Sequence, residues 1–184
     1  MYTIGHGTRS TEELVAVLVS ADVRRVADVR RHPGSRRCPH LGRDVLSIDL
    51  PVEGIAYEWW GEALGGRRSR VPGSRHHAWR NASFQGYADH MDSDGFRSAF
   101  ERLLAAASRV TTVVMCSETV WWRCHRRLLA DAAVLRGVEA VHLLAADKHV
   151  AHLLHPDVRA DTGGWPVYDR GQEQLPEGPR QRAD

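Results

Sequence analysis

Residues Val110–Cys116 read VTTVVMC, and this short stretch carries the strongest structural signal of the chain. It is rich in β-branched residues, as is typical of a buried strand, and it runs into Cys116-Ser117-Glu118. A helical pattern follows from about Arg123 to Arg136 and ends at Gly137, a residue that commonly terminates helices. A strand followed by a helix is the building unit of a parallel sheet, because parallel strands need a crossover connection.

The same alternation of strand and helix extends over most of the chain. Ser10 and Glu13 form a capping-box pattern, which predicts the start of a helix. We predict further strands at Tyr2–Ile4, Val23–Val29, Ile55–Trp60 and Val138–Leu143, and helices at Leu41–Leu50, at Phe84–Met91 and after a cap at Asp94. This order predicts an α/β, Rossmann-like fold of three layers, in which helices flank a mainly parallel sheet.

Two parts of the chain do not follow this alternation. Gly61–Ala82 is rich in glycine and arginine and has no hydrophobic period, so we expect a long, mobile loop. Leu144–Asp184 is polar, and we expect a short helix near Val150 and a strand near Val167.

Length and composition fit one domain. The chain has 184 residues, of which 42% are hydrophobic, and this is enough for a core. We place the domain at residues 1–170 and expect a disordered, polar tail over residues 171–184. No apolar run reaches the roughly 18 residues of a membrane helix, and no secretory leader is visible, so we expect a cytoplasmic protein without membrane contact.

The basic residues are unusual in type. The formal net charge is only +2, but of the 25 basic residues only Lys148 is a lysine. Arginine suits bidentate contacts to phosphate, although a GC-rich genome also replaces lysine with arginine and accounts better for the total. The local clusters exceed such a bias and lie near tryptophans, which suits nucleic-acid binding as well as a solvated loop over core tryptophans. These clusters are Arg30-Arg31 with Arg36-Arg37, and Arg67-Arg68 with Arg70, Arg75 and Arg80.

Polar and reactive side chains follow the predicted strands at the points where the strands end. In parallel sheets the active crevice lies beyond the carboxyl ends of the strands. We therefore expect these side chains to share one edge of the sheet and to form one site. They are His6, Asp28, Arg30, Glu58, Cys116 and Glu118, together with Cys124, His125 and Arg126 at the start of the helix after the fourth strand.

The cysteines of this group allow two interpretations. Cys124 lies in the first turn of the predicted helix beside His125, and a helix N-terminus favours a thiolate or a bound anion. This position predicts an activated nucleophile. Cys124 also shares a helical stripe with Leu128, however, and free cysteines are commonly buried in cores. The same two interpretations apply to Cys116.

A metal site is a further possibility. Cys116, Cys124, His125 and His6 are adequate zinc ligands, although their spacing matches no familiar zinc motif. The three cysteines of the chain are too few for a disulfide framework, and we expect Cys38 to be exposed outside any such site. We expect His76-His77 to have a solvated or packing role, and His149, His152 and His155 to lie on a surface helix.

Six short motifs follow one another along the chain. They are Tyr2-Thr3-Ile4-Gly5-His6; Asp28-Val29-Arg30 with Pro33 and Ser35-Arg36; Leu64-Gly65-Gly66-Arg67; Phe84-Gln85-Gly86-Tyr87-Ala88-Asp89 with Met91; Cys116-Ser117-Glu118 with Trp122-Arg123-Cys124-His125-Arg126; and His155-Pro156 with Val167-Tyr168. In this order they resemble the family called domain of unknown function 488, over almost the whole length. The resemblance implies a fold and a shared site, but no reaction.

A weaker likeness is to rhodanese-like and cysteine-phosphatase domains, in which the loop after a strand-end cysteine cradles an anion. In this chain six residues separate Cys116 from Arg123, and they are bulky and include no glycine. A tight phosphate cradle needs close approach of the backbone, so this mechanism is not favoured.

These residues lead to three hypotheses for function. The first is an enzyme acting on a phosphate-bearing substrate, either a phosphorylated small molecule such as a nucleotide or a nucleic acid. The second is a nucleic-acid-binding module without catalysis, and the third is a metal-binding domain; the residues specify no cofactor. In the first, the substrate contacts are Arg30, Arg126, Arg67 and Tyr87, the nucleophile or metal ligand is Cys116 or Cys124, and the acid–base groups are His6, Asp28, Glu118 and His125.

Overall fold

A computed structural model describes residues 1–34 and 37–171 of the chain. Within them it contains a six-stranded sheet, a separate two-stranded sheet and six α-helices. Ser35, Arg36 and the predicted tail beyond Gly171 lie outside the described residues. The strands are β1 (Tyr2–Gly5), β2 (Arg25–Asp28), β3 (Ala56–Trp59), β4 (Thr112–Cys116), β5 (Val141–Ala145), β6 (Lys148–Ala151), β7 (Val158–Ala160) and β8 (Pro166–Tyr168). The helices are α1 (Thr11–Ser20), α2 (Arg43–Val52), α3 (Gly61–Leu64), α4 (Ala82–Met91), α5 (Asp94–Ala107) and α6 (Arg126–Leu135).

The main sheet is parallel over its first five strands, as predicted. Its order is β3-β2-β4-β1-β5-β6, and only β6 runs antiparallel to its neighbour. Strand β4 is buried along its whole length and lies between β2 and β1. The VTTVVMC stretch is therefore the centre of the sheet.

Two hydrophobic cores cover the two faces of the sheet, which confirms the three-layer arrangement. Val114 of β4 packs in the core that contains residues of α4, α5 and α6. Its neighbours Val113 and Met115 pack in the core that contains residues of α1 and α2. This division follows from the alternation of side chains along a strand. No helix in the part of the chain that is described is both long and apolar enough to cross a membrane.

The caps explain where several helices begin. The predicted capping box is present, with the Glu13 amide donating to Ser10 Oγ over 3.2 Å and the Ser10 amide donating to Glu13 Oε2 over 2.8 Å. Helix α5 is capped by Ser93, not by Asp94 as predicted, because the Ser93 hydroxyl accepts from the Phe96 amide. Helix α6 begins at Arg126 and not near Arg123, because a 3₁₀ turn occupies Trp121–Arg123.

The expected helix near Val150 is wrong. This segment is strand β6, which pairs with β5 so that Val150 lies opposite His142. The physical reason is the turn at Ala146-Asp147, which sends the chain back along the edge of the sheet. The expected strand near Val167 is confirmed as β8, which pairs with β7 in the small antiparallel sheet.

The arginine-rich segment Gly61–Ala82 contains one short helix, α3, and is otherwise irregular. The later part of this segment contacts helix α4 and Asp92, the residue that follows the helix. The Val71 amide donates to Asp89 Oδ2 over 2.8 Å, and Arg75 forms an ion pair with Asp92. The earlier part of the segment lies at the carboxyl end of the main sheet, because Arg31, which follows β2, donates from Nη1 to the Arg67 carbonyl over 2.9 Å.

Candidate functional site

The connection between β4 and α6 brings the two predicted cysteines together. Cys116 is the last residue of β4, and Cys124 follows the 3₁₀ turn. Cys124 therefore precedes α6 and is not in its first turn, which corrects the prediction from the sequence. Both thiols are buried, with 7% and 4% exposure for Cys116 and Cys124.

The imidazole of His125 lies beside both sulfur atoms. Its Nδ1 atom is 3.6 Å from Cys124 Sγ and 3.9 Å from Cys116 Sγ. The proximity of Cys124, together with His125, holds the pKa of the Cys116 thiol well below its ordinary value, whereas the proximity of Cys116 and burial raise the pKa of Cys124. We call these three residues the Cys–Cys–His cluster.

The side chain of Arg126 holds the loop that follows Cys116, which we call the Glu118 loop. This side chain is 1% exposed, and its Nη2 atom donates to the carbonyl oxygens of Glu118 and Thr119. Its Nη1 atom donates to Thr3 Oγ1 over 3.4 Å. The structure thus places Arg126 behind the loop and not in a position to contact a substrate.

A chain of buried hydrogen bonds continues from Thr3 across the sheet. Thr3 Oγ1 is 2.7 Å from His142 Nδ1, His142 Nε2 is 3.0 Å from His152 Nδ1, and His152 Nε2 is 2.9 Å from Asp131 Oδ1. Every donor finds an acceptor if both imidazoles are neutral and each carries its proton on Nε2. Burial lowers the pKa of His142 to about 3, which keeps this ring neutral. Thr3, His142, His152 and Asp131 therefore support the Glu118 loop, through the contact between Thr3 and Arg126. We call these four residues the relay; the sequence did not predict it.

Asp28, Arg30 and His6 form a second polar group at the ends of β2 and β1, the two strands that flank β4. Arg30 binds Asp28 through two contacts, from Nε to Oδ1 over 2.9 Å and from Nη2 to Oδ2 over 2.6 Å. Arg30 Nη1 is 2.9 Å from His6 Nε2, and the Tyr57 hydroxyl donates to Asp28 Oδ2 over 2.6 Å. Burial, together with the charge of Arg30, lowers the pKa of His6 to about 4.

The two groups lie at the same end of the sheet but line different cavities. One cavity of about 370 Å³ is lined by the Cys–Cys–His cluster, and a second of about 360 Å³ is lined by His6 and Cys38. Arg30, Arg67 and Glu118 line both. We refer to these spaces as the first and the second cavity. The predicted residues His6, Arg30 and Glu118 therefore lie at one rim with the Cys–Cys–His cluster, whereas Asp28 and Arg126 line neither cavity.

The first cavity combines reactive, cationic and aromatic side chains. Arg31, Arg67 and Arg123 contribute guanidinium groups, and Glu118 is the acidic residue in its lining. Among the described residues these three arginines form no ion pair, whereas Arg30 is neutralised by Asp28. Tyr87 and Phe84 contribute aromatic rings, and the Tyr87 hydroxyl donates to the Leu64 carbonyl over 2.7 Å.

Several predicted side chains lie elsewhere. Glu58 forms an ion pair with Arg25 over 3.1 Å and lines neither cavity. Cys38 is buried and not exposed as expected, because its thiol donates to the Gly7 carbonyl over 3.8 Å and it packs in the same core as Leu41. His152 is buried in the relay, so the expected surface helix of histidines is wrong. His76 is fully buried and bonds Asp92, which agrees with a packing role.

The metal-ligand set expected from the sequence is found in part. Within the described residues, one group of three ligand atoms from His, Cys, Asp or Glu lies close enough for one ion, and it is the Cys–Cys–His cluster, whose ligand atoms all lie within 4.8 Å of one another. His6 does not belong to it, because its ring nitrogens contact Arg30 and the Gly7 carbonyl.

The comparisons with known proteins agree with the resemblance in the motifs. The model of a protein family described as "Domain of unknown function DUF488" matches residues 10–133, which include β4, both cysteines and most of α6. No curated protein and no solved structure matches the chain. Because the match covers more than half of the sequence, the chain belongs to the DUF488 family.

Proposed function

We propose that the protein is an enzyme that acts on a phosphate-bearing substrate, a nucleotide or a nucleic acid, in the first cavity. One observation carries this proposal. The thiols and the imidazole of the Cys–Cys–His cluster line the same cavity as three arginines that no carboxylate pairs with in the described part of the chain. Reactive groups and anion-binding groups are thus within reach of one ligand.

The charge of the lining favours an anion. Three guanidinium groups, from Arg31, Arg67 and Arg123, stand against the single carboxylate of Glu118. Guanidinium groups bind phosphate oxygens through paired hydrogen bonds, and a concave surface strengthens the field of charges of one sign. A neutral or cationic substrate would gain nothing from this arrangement.

The aromatic side of the lining favours a ligand with a flat ring. Phe84 lines the cavity and is partly exposed, whereas Tyr87 on the same helix is fully buried and supports the wall behind it. Bases stack on aromatic side chains in sequence-tolerant nucleic-acid sites, and such contacts contribute about 1–3 kcal/mol per base. An accessible aromatic ring beside arginines therefore supports a nucleotide in preference to inorganic phosphate.

Two roles are open to the cluster in such an enzyme. Cys116 can attack the substrate as a thiolate, or the three groups can hold a metal ion. In either role Glu118 is the carboxylate placed to transfer a proton, because it lines the cavity and its loop is held by Arg126.

Binding and turnover test this proposal separately. We expect nucleoside monophosphates and a short single-stranded oligonucleotide to bind at low salt, as measured by calorimetry. Arg67→Ala and Arg123→Ala should each weaken binding about tenfold, the loss of one charge-assisted contact. Arg109→Ala is the matched control, because Arg109 is exposed and precedes β4 at the opposite end of the strand.

Turnover is followed by mass spectrometry of the same ligands after incubation. Cys116→Ser should abolish product formation while the oligonucleotide still binds. Absence of binding for every nucleotide and oligonucleotide at low salt would exclude the proposal. Binding without product in the wild type would favour a nucleic-acid-binding module, and equal product from Cys116→Ser would remove the cluster from the mechanism.

A further inference from the structure

We infer that Cys116, Cys124 and His125 bind one divalent transition-metal ion, with Zn²⁺ the ion that best suits two thiolates and one imidazole. The inference deepens the proposed function, on which it rests for the role of the ion but not for its binding.

The donor atoms are spaced as the ligands of one ion are. Tetrahedral zinc, with bonds of about 2.3 Å to sulfur and about 2.0–2.1 Å to nitrogen, separates a sulfur from a nitrogen ligand by roughly 3.5 Å. The two sulfur–nitrogen distances of the cluster are 3.6 Å and 3.9 Å. These two distances exceed the tetrahedral separation by a few tenths of an ångström at most, and all three ligand atoms lie within 4.8 Å of one another.

Hydrogen bonds from the two thiols do not by themselves explain why both sulfur atoms lie close to one imidazole nitrogen. Both sulfur atoms approach the same nitrogen, Nδ1 of His125, which has one lone pair and can accept one S–H. A metal ion at the centre of the three atoms would use one lone pair from each. It would displace the proton of each thiol, so that two protons are released for each ion bound.

The position of the imidazole depends on a glycine. A Cβ atom at Gly66 would lie over the face of the His125 ring, 2.9 Å from Nδ1, which is closer than side chains tolerate, 3.3 Å from Cγ and 3.4 Å from Cε1. Gly66 lines the first cavity together with the cluster, so the absence of a side chain there allows the ring to stay beside both sulfur atoms at the cavity wall.

The charge of the complex suits a buried site. A divalent ion with two thiolates and one neutral imidazole has no net charge, and this reduces the desolvation penalty that an isolated ion would incur.

Three protein ligands leave the fourth position of a tetrahedral ion open, as in catalytic zinc sites. All three ligands line the first cavity, so the open position faces the arginines and Glu118. Water or a phosphate oxygen of the substrate fits there, and zinc-bound water has a pKa of about 7 in catalytic sites. The substrate class of this ion is therefore the phosphate-bearing ligand of the proposed function.

Cobalt substitution tests the site directly. Reduced, chelator-treated protein is titrated with Co²⁺, and we expect a thiolate-to-cobalt charge-transfer band that saturates at one equivalent and is reversed by Zn²⁺. Cys116→Ser and Cys124→Ser should each lower the intensity of this band by about half and weaken binding at least tenfold. Cys38→Ser is the matched control, because Cys38 is buried outside the cluster, and it should titrate like the wild type.

A wild-type protein without the charge-transfer band would overturn the inference, as would a band that is unaffected by Cys116→Ser and Cys124→Ser. If either variant fails to fold, alkylation of the wild type decides. Zn²⁺ should slow iodoacetamide labelling of Cys116 and Cys124 at least tenfold and leave Cys38 unchanged, as mapped by mass spectrometry. Equal labelling with and without Zn²⁺ would contradict the site. Nucleotide binding by the metal-free protein tests the proposed function independently, so the two failures are distinguishable.

Discussion

Asp131 Oδ1 lies 2.9 Å from His152 Nε2, and this buried pair is the far end of the hydrogen-bonded chain that reaches the Glu118 loop. Asp131 is 0% exposed and also accepts from the Tyr168 hydroxyl over 2.8 Å and from the His155 amide over 2.9 Å. One carboxylate thus connects α6, the segment after β6 and strand β8.

Asp131→Ala should be strongly destabilising, because it leaves three buried donors without an acceptor. We expect a loss of about 3 kcal/mol in the free energy of unfolding, measured by urea denaturation. For a chain of this length the melting temperature should fall by roughly 6–12 °C. Asp44→Ala, an exposed residue in the first turn of α2, should cost less than about 1 kcal/mol. A loss at Asp131 no greater than this would show that the donors find other partners.

Acidification should destabilise the fold through His142. Burial, reinforced by the neighbouring His152 and Arg126, lowers the pKa of His142 to about 3 from an ordinary value of 6.5. Between these values the unfolded chain binds a proton that the folded protein excludes. The free energy of unfolding should therefore fall as the pH decreases from 6.5 towards 3, by up to about 1.4 kcal/mol per pH unit from this residue.

Urea denaturation at several pH values between about 7 and about 5 measures this slope. His142→Asn should reduce the slope of the free energy of unfolding against pH by the equivalent of about one proton, which is about 1.4 kcal/mol per pH unit. This change is expected whatever the effect of the substitution on absolute stability. His149→Asn on the exposed strand β6 is the control and should leave the slope unchanged. An unaltered slope in His142→Asn would mean that His142 titrates normally in the folded protein.

The parallel sheet was predictable because VTTVVMC and the following helical pattern agree in length, composition and order. Strand β6 was not predictable. Its four residues, KHVA, are all exposed, and the strand forms because the preceding turn brings the segment beside β5. Tertiary pairing, and not local preference, decides the structure of so short a segment.

The convergence of strand ends was predictable, and so in principle was its division into two cavities. Side chains alternate along a strand, so Asp28 shares a face with Val26, whereas Cys116 shares a face with Val114. Val26 and Val114 pack in different cores. The relay from Thr3 to Asp131 was not predictable, because its contacts join residues up to 139 positions apart and each polar residue alone resembles ordinary surface.

The Asp28–Arg30 pair should show strong coupling, because it is buried and makes parallel hydrogen bonds. Asp28→Asn leaves a buried guanidinium without its counter-ion and should cost about 3 kcal/mol. Arg30→Lys cannot make the paired contacts and should cost a similar amount. The double variant should cost about 2 kcal/mol less than the sum, measured as a double-mutant cycle by urea denaturation.

The exposed pair of Arg24 and Asp22, 2.7 Å apart, provides the contrast. Arg24→Lys should change the free energy of unfolding by less than about 0.5 kcal/mol, because solvent screens this pair. Additive costs at Asp28 and Arg30 would show that each residue is held by its other contacts and not by its partner.

Gly66→Ala should separate the chemistry of the site from the stability of the fold. The added methyl group would lie over the ring of His125, 2.9 Å from Nδ1, so the imidazole must shift from its position beside the two sulfurs. The ring lines the first cavity, and we expect a cost of no more than about 1 kcal/mol in stability, at the lower end of what an overpacked site loses. A displacement of this kind at a reacting group commonly lowers the rate about a hundredfold, so product formation and cobalt affinity should both fall by at least about tenfold.

Gly95→Ala is the control, since a Cβ atom there meets no neighbour within 4 Å. Wild-type cobalt binding and turnover in Gly66→Ala would mean that the position of the imidazole is not needed, and the role given to His125 would then have to be abandoned.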